Sequence, residues 1–325
     1  MKIYFHGNCQ AAALARMVQE VIPDGEITAR EIHIEAQFED RAAYLHDIKT
    51  ADAIIAQPIR ADYQGGFEKS LEFVRREARA GIRIITFPSI YFDGQLPEWS
   101  YLRRGGETLP PYQMDYHNLF AFQAALVRED VDAFIARIFC PSLYSPATIK
   151  VFIDRAVEAL ASRERALKTD VVVSDWLCER GYSCQLMSTI NHPRRAVLAA
   201  CANRVLQLLG HAKTIAGQGE DYLALPQIPL LPSVVRYLDN EGDDNLISHF
   251  SVGDARQVVM DQESFYRGAY AHYRALPEKQ LILAYQQNRD ARVFLTSVAS
   301  QGKPLFSQKW QHLLAYFNLA NNSQM

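Results

Sequence analysis

Apolar residues along the N-terminal third of the chain follow two alternating periods. The run Lys2 to Phe5 reads as a strand, and Leu14, Met17, Val18 and Val21 at helical spacing make it a βα unit. The alternation continues with a strand over Ile27 to Ile34, a helix over Asp40 to Lys49, a strand over Ala53 to Gln57, a helix over Phe67 to Ala80 and a strand over Ile82 to Phe87. Helices between successive strands predict a small parallel, doubly wound sheet with right-handed crossovers.

From Pro88 to about Met114 the pattern gives way to an aromatic, proline-rich stretch, Pro88-Ser89-Ile90-Tyr91-Phe92-Asp93-Gly94, with Pro97, Pro110 and Pro111 further on. Long structureless loops inside a compact domain are often functional. Beyond it the stripes Ile149, Phe152, Ile153, Val157, Leu160 and Val197, Leu198, Cys201, Val205, Leu208, Leu209 predict amphipathic helices. Three prolines between Leu225 and Pro232 exclude a continuous helix there, and helical patterns resume over Gln262 to Ala275 and Glu278 to Val298. The expected fold class is α/β plus mainly helical, a small parallel doubly wound sheet embedded in a larger helical, loop-rich fold. Residues 1–115 form the α/β subdomain and 116–325 a mainly helical part packed against it as one compact unit.

Composition narrows the function. The 325 residues are 49% hydrophobic, enough for a substantial core, and 34 basic against 37 acidic residues leave a net charge of -3, which argues against a dedicated nucleic-acid or membrane-surface binder. The apolar run before His6 is too short for a signal peptide and no segment reaches membrane-spanning length, so a cytoplasmic protein is expected. Cys9, Cys140, Cys178, Cys184 and Cys201 form an odd, scattered set, which predicts free thiols and no structural metal.

The turn Gly7-Asn8-Cys9-Gln10 falls between the first strand and the first helix, at the carboxyl edge where open α/β sheets bind ligands. Gly7 permits a tight turn, Asn8 can cap the helix, and Cys9 would meet the exposed amides and dipole of the helix start, which favour a thiolate. A cysteine at an arbitrary position is more often a small buried apolar residue; this location favours a nucleophile.

A nucleophile needs a base. His192, in Thr189-Ile190-Asn191-His192-Pro193-Arg194-Arg195, is the first choice, with Pro193 at the first helical position and His192 as the cap, where the dipole keeps the ring neutral. Arg194 and Arg195 then oppose the dipole unless an anion compensates, which makes them a candidate phosphate site, although a solvated arginine pair is the commoner outcome. Two further loops should reach the same edge. Gln57 or Ser89 could donate to an oxyanion, Arg60 could hold a charged group, and Tyr91, Phe92 and Trp99 could stack on a base or sugar ring. His117, in Asp115-Tyr116-His117-Asn118, is the second-choice base. No dinucleotide fingerprint, P-loop or His-Glu-x-x-His motif occurs, so nicotinamide redox chemistry, nucleotide hydrolysis and zinc proteolysis lose support.

Together, Tyr4-Phe5-His6-Gly7-Asn8-Cys9-Gln10, Phe87 to Gly94 with Pro97, Asp115-Tyr116-His117 and Asn191-His192-Pro193 resemble the WcbI-type polysaccharide biosynthesis proteins. The resemblance runs from residue 1 to about 300, with the Gly-Asn-Cys-Gln turn its most specific part. It implies a loop-rich pocket for coenzyme A, acetyl-CoA as donor, transfer to a saccharide or sugar-nucleotide hydroxyl in bacterial capsule assembly, and association with other polysaccharide-assembly proteins. On that footing Cys9 and His192 are the catalytic candidates. Asn8, Gln10, Arg60, Tyr91, Phe92, Arg194 and Arg195 are the coenzyme contacts, and Gln57, Ser89 and His117 the substrate or oxyanion groups, with no metal.

A looser likeness is to the SGNH esterases, with Asn8-Cys9 in place of Asp-Ser and with His192-Pro193 lacking the usual aspartate, which leaves the group that orients His192 unidentified. Three functions are thus in play: a coenzyme A-dependent O-acyltransferase, a cysteine-based esterase or deacylase needing only water, and a non-catalytic nucleotide or glycan-binding protein. A trapped acyl-enzyme, coenzyme-free hydrolysis, or cellular acylation that survives loss of Cys9 would separate them.

Overall fold

A computed structural model describes residues 1–63, 66–104, 107–238, 246–253 and 258–299. The chain divides into two compact units, each drawn from several stretches: 1–92 with 153–181 and 186–224, and 93–152 with 182–185 and the chain from 225 onward. Helices account for about 48% of the described residues. Among the described residues no helix is long and apolar enough to cross a membrane.

The first unit holds the sheet. β1 (Lys2–Gly7) leads through α1 (Cys9–Val21) to β2 (Glu26–Glu31), parallel beside it with Lys2 opposite Glu26 and Gly7 opposite Glu31. Through α2 (Ala36–Glu39) and α3 (Arg41–Thr50) the chain returns to β3 (Ala53–Ala56) on the other side of β1, and α4 (Leu71–Glu77) connects to β4 (Arg83–Thr86). The order β2-β1-β3-β4, parallel throughout, is the doubly wound layer the periodicity predicts. The winding reverses between β1 and β3, and the crevice beyond the carboxyl ends of those two strands is the place such sheets reserve for ligands.

Period-two alternation buries both faces. Tyr4, Ile54 and Ala56 join Tyr44 and Ile48 of α3 and Phe73 and Val74 of α4 in one cluster. Ile3, Phe5 and Ile55, on the opposite face, are fully buried, and α1 packs against the helix Arg195–Leu208.

Several boundaries differ from the periodicity for local reasons. The second strand stops at Glu31, where the amide of Ile34 turns back to the Glu31 carbonyl. The apolar stripe from Phe67 is broken at Ser70, which ends a single 3-10 turn and caps α4 by accepting from the Phe73 amide. Glu278 to Val298 is two helices, Glu278–Gln287 and Arg289–Ala299, because Asn288 is extended and its side chain bonds the Ala284 carbonyl. The long loop carries short antiparallel pairings, Trp99–Ser100 with His117–Asn118 and Arg103–Arg104 with Glu107–Thr108, while residues 105–106 lie outside the described part.

In the second unit the helix Leu119–Leu126 is buried along its whole length and packs against the helix Gln262–Ala275. Phe250 and Phe265 stack at 3.7 Å between ring centroids, with the Trp99 ring tilted against both. Beside this aromatic core lies Glu98, fully buried, with no well-formed hydrogen bond to either carboxylate oxygen among the described residues. Burial pushes its carboxyl up to about 8, offset only in part by nearby backbone and by Trp99 and Tyr144. The folded protein therefore holds a proton that the unfolded chain releases above the ordinary value near 4.5. Stability from this group is complete below that value and is lost as the pH rises to about 8, roughly 3 kcal/mol of it between pH 5 and 7. In Glu98→Gln that slope should flatten in urea titrations across this range. An unchanged slope would mean that Glu98 ionises freely in the fold.

Candidate functional site

The site grows from the end of β1. Gly7 passes so close to Gln57 that a Cβ there would lie 2.7 Å from Gln57 Oε1, so a glycine is needed for contact rather than for a special φ. The same Oε1 accepts from the Asn8 amide at 2.8 Å, and Asn8 Oδ1 accepts from the Gln10 amide at 3.0 Å, the helix cap expected of it. Asn8 Nδ2 donates to Ser89 Oγ at 3.3 Å, and Ser89 is exposed in the loop after β4.

Cys9, half-buried, opens α1 with its Sγ 3.7 Å from His192 Nε2. The two residues expected to form the chemical pair are thus together. The expected thiolate is not supported: burial pushes the Cys9 thiol up to about 11, the Glu31 carboxylate adds to this, and the amides of Gln10 and Cys9 offset only part of it. Partial charges at a helix start do not outweigh desolvation of the sulfur. Glu31 had no assigned role in the sequence reading. Its place opposite Gly7 follows from strand register, which only the fold reveals.

His192 is not a helix cap. His192–Pro193 is a short strand paired antiparallel with Met187–Thr189, and the helix begins at Arg195 with Arg194 in the cap position. Pro193, which lacks an amide hydrogen, falls at the bulge of this ladder instead of at the helix start. The turn is held by buried Thr189, whose Oγ1 accepts from the His192 amide at 3.2 Å and donates to Asn191 Oδ1 at 3.0 Å. Helix-dipole control of the imidazole therefore gives way to positioning by this turn.

The arginines are corrected too. Arg195 is 7% exposed, and its guanidinium is held by Glu20 at 3.0 and 2.6 Å and by the carbonyls of Ala216, Gln218 and Glu220. Gly219, at φ +131°, lets the loop approach; a Cβ there would sit 2.8 Å from Arg195 Nε. Asp221 accepts from the Arg195 amide and pairs with Arg194 Nε at 3.3 Å. The anions beside two arginines at a helix start are thus supplied by the chain, and the Arg195 guanidinium is engaged by Glu20 and by the loop carbonyls. Arg60 is a surface side chain, 76% exposed, paired with Asp62 at 3.1 Å.

Of the remaining candidates, Gln10 and Gln57 are buried and bonded to each other, and both amide hydrogens of Gln10 are taken by the carbonyls of Ile90 and Asn191. Phe92 is fully buried with its amide on the Ile190 carbonyl, and Trp99 is in the core of the second unit, which removes both as stacking platforms. Tyr91 is half-buried, with its carbonyl bonded by Arg163, a cation the sequence reading overlooked. His117 lies in the second unit, buried, with Nδ1 2.9 Å from the Tyr273 hydroxyl; desolvation lowers it to about 4, and it is a structural histidine. Among the described residues no cluster of His, Cys, Asp or Glu could hold a metal ion.

The fold is thus an α/β protein with a parallel doubly wound sheet and a thiol in contact with an imidazole at the carboxyl edge of its first strand. The family model for polysaccharide biosynthesis enzyme WcbI matches residues 2–214, and the chain belongs to that family. It is similar to a solved structure of WcbI, a novel polysaccharide biosynthesis enzyme, as native protein without a disulfide bond between coenzyme A and one of its cysteines. The two agree with a TM-score of 0.75 over 91% of this chain and 98% of that one, at 20% identity. A search of the curated proteins finds no match.

Proposed function

We propose that the protein is a coenzyme A-dependent O-acyltransferase that passes an acyl group, acetyl in the simplest case, to a saccharide hydroxyl during polysaccharide assembly. The observation that carries this reading is the 3.7 Å contact between Cys9 Sγ and His192 Nε2 at the switch point of the sheet. The solved WcbI, native protein without a disulfide bond between coenzyme A and one of its cysteines, supports a coenzyme site near a thiol.

His192 takes the proton of the attacking group, the hydroxyl oxygen bonds to the acyl carbon, the acyl carbon–sulfur bond breaks, and the imidazolium returns its proton to the departing thiolate. If Cys9 attacks first, the same proton transfers occur twice, through an acyl-cysteine. With the Cys9 thiol held protonated, the acyl-cysteine route needs the base, and in direct transfer the saccharide hydroxyl needs it for the same reason. Asn8 Nδ2 and Ser89 Oγ, bonded to each other beside Cys9, would be side-chain donors for a developing oxyanion. With Arg195 engaged internally, exposed Arg60, after β3, would be a cation for the phosphates.

Calorimetric titration with coenzyme A tests the reading, together with release of free thiol from acetyl-CoA in the presence of saccharide acceptors. Saturable binding, weaker in Arg60→Ala, and acceptor-dependent thiol release are expected. Folded protein that binds no coenzyme, or that hydrolyses acyl esters without it, would replace this reading with the esterase.

A further inference from the structure

Gln10 follows Cys9 in the first turn of α1 and is fully buried. A primary amide has two donor and two acceptor positions, and all four are used inside the first unit. Nε2 donates to the carbonyls of Ile90 and Asn191, both at 2.8 Å, while Oε1 accepts from the Ile90 amide at 2.9 Å and from Gln57 Nε2 at 3.4 Å. One side chain thereby joins the turn after β1, the end of β3, the loop after β4 and the turn that carries His192.

The position of one of these bonds matters most. Asn191 directly precedes His192 and Gln10 directly follows Cys9, so the 2.8 Å bond lies at the base of the 3.7 Å contact between sulfur and imidazole. Neutral geometry is also required. A carboxylate would set negative oxygen against two carbonyls, and an apolar side chain would leave buried polar groups without partners. Thr189 braces the same turn from the opposite end.

We infer that Gln10 is a positioning residue that sets the separation and angle of Cys9 and His192 without itself touching substrate. This rests on Cys9 and His192 being the working pair, and not on the identity of the acyl donor.

The test is a double-mutant cycle read by NMR. The His192 ring resonance, identified by its loss in His192→Gln, is titrated with and without Cys9→Ala in native and Gln10→Met backgrounds. Removing the thiol should displace the His192 midpoint in the native background and displace it by less than half as much in Gln10→Met. Gln10→Glu, which retains the acceptor oxygen, serves if Gln10→Met does not fold. In the transfer assay kcat should fall roughly 100-fold with coenzyme affinity little changed, the cost of about 1 Å of misplacement. Equal displacement in both backgrounds, or none in the native one, overturns the inference. Absence of coenzyme binding would sink the acyltransferase reading and leave the cycle intact.

Discussion

Replacing His192 with glutamine should lower kcat for acyl transfer by about 10²–10⁴-fold while leaving coenzyme A affinity within a few-fold of the native value. The expectation follows from the state of the thiol. Cys9 titrates at about 11, so a thiolate is scarce at neutral pH and a proton must be removed as the new bond forms. A saccharide hydroxyl presents the same difficulty, and Nε2 of His192 is the base in place, 3.7 Å from the sulfur. Glutamine keeps a polar group of similar reach but cannot accept and return a proton. A kcat unaffected in His192→Gln would remove general-base catalysis from the mechanism. Cys9→Ala then separates the two routes: a loss as large as at His192 assigns the acyl-cysteine, and activity retained within a few-fold assigns direct transfer.

In Arg195→Met the expected loss is in stability, about 3–5 kcal/mol, which lowers Tm by roughly 10 °C. Arg195 is 7% exposed and is bound by one carboxylate and three carbonyls. Methionine fills part of the space but leaves Glu20 without its ion pair and strands the carbonyls of the loop from Ala216 to Glu220. Glu20→Ala should act in the same direction, since it leaves the guanidinium charge buried and uncompensated. Coenzyme titration of the folded variant should match the native protein. An unchanged Tm with coenzyme binding lost would identify Arg195 as a phosphate ligand after all and reinstate the basic pocket.

Sequence by itself determined the layer and the capped turn at its carboxyl edge. Strand and helix periods in the first 87 residues correspond to β1 to β4 and their connecting helices, because residue alternation on a sheet and a stripe on a helix leave different apolar spacings. The capped turn at Gly7-Asn8-Cys9 was legible for the same local reason: asparagine before a helix start has a definite hydrogen bond to make. His192 could be singled out by its neighbours.

What surrounds those residues was decided by tertiary structure. Arg194 and Arg195 look cationic in sequence, yet their partners Asp221 and Glu20 lie 27 and 175 positions away. Phe92, Gln10 and Gln57 look like candidates for ligand contact until packing fills every position around them. The Cys9 thiol was expected to ionise because a helix start is visible in the chain, whereas the desolvation that outweighs it depends on which residues cover the sulfur. Capping and periodicity act within a few residues, and a sequence displays them directly. Burial, charge pairing and the contact between Cys9 and His192 across 183 positions exist only once the chain has folded.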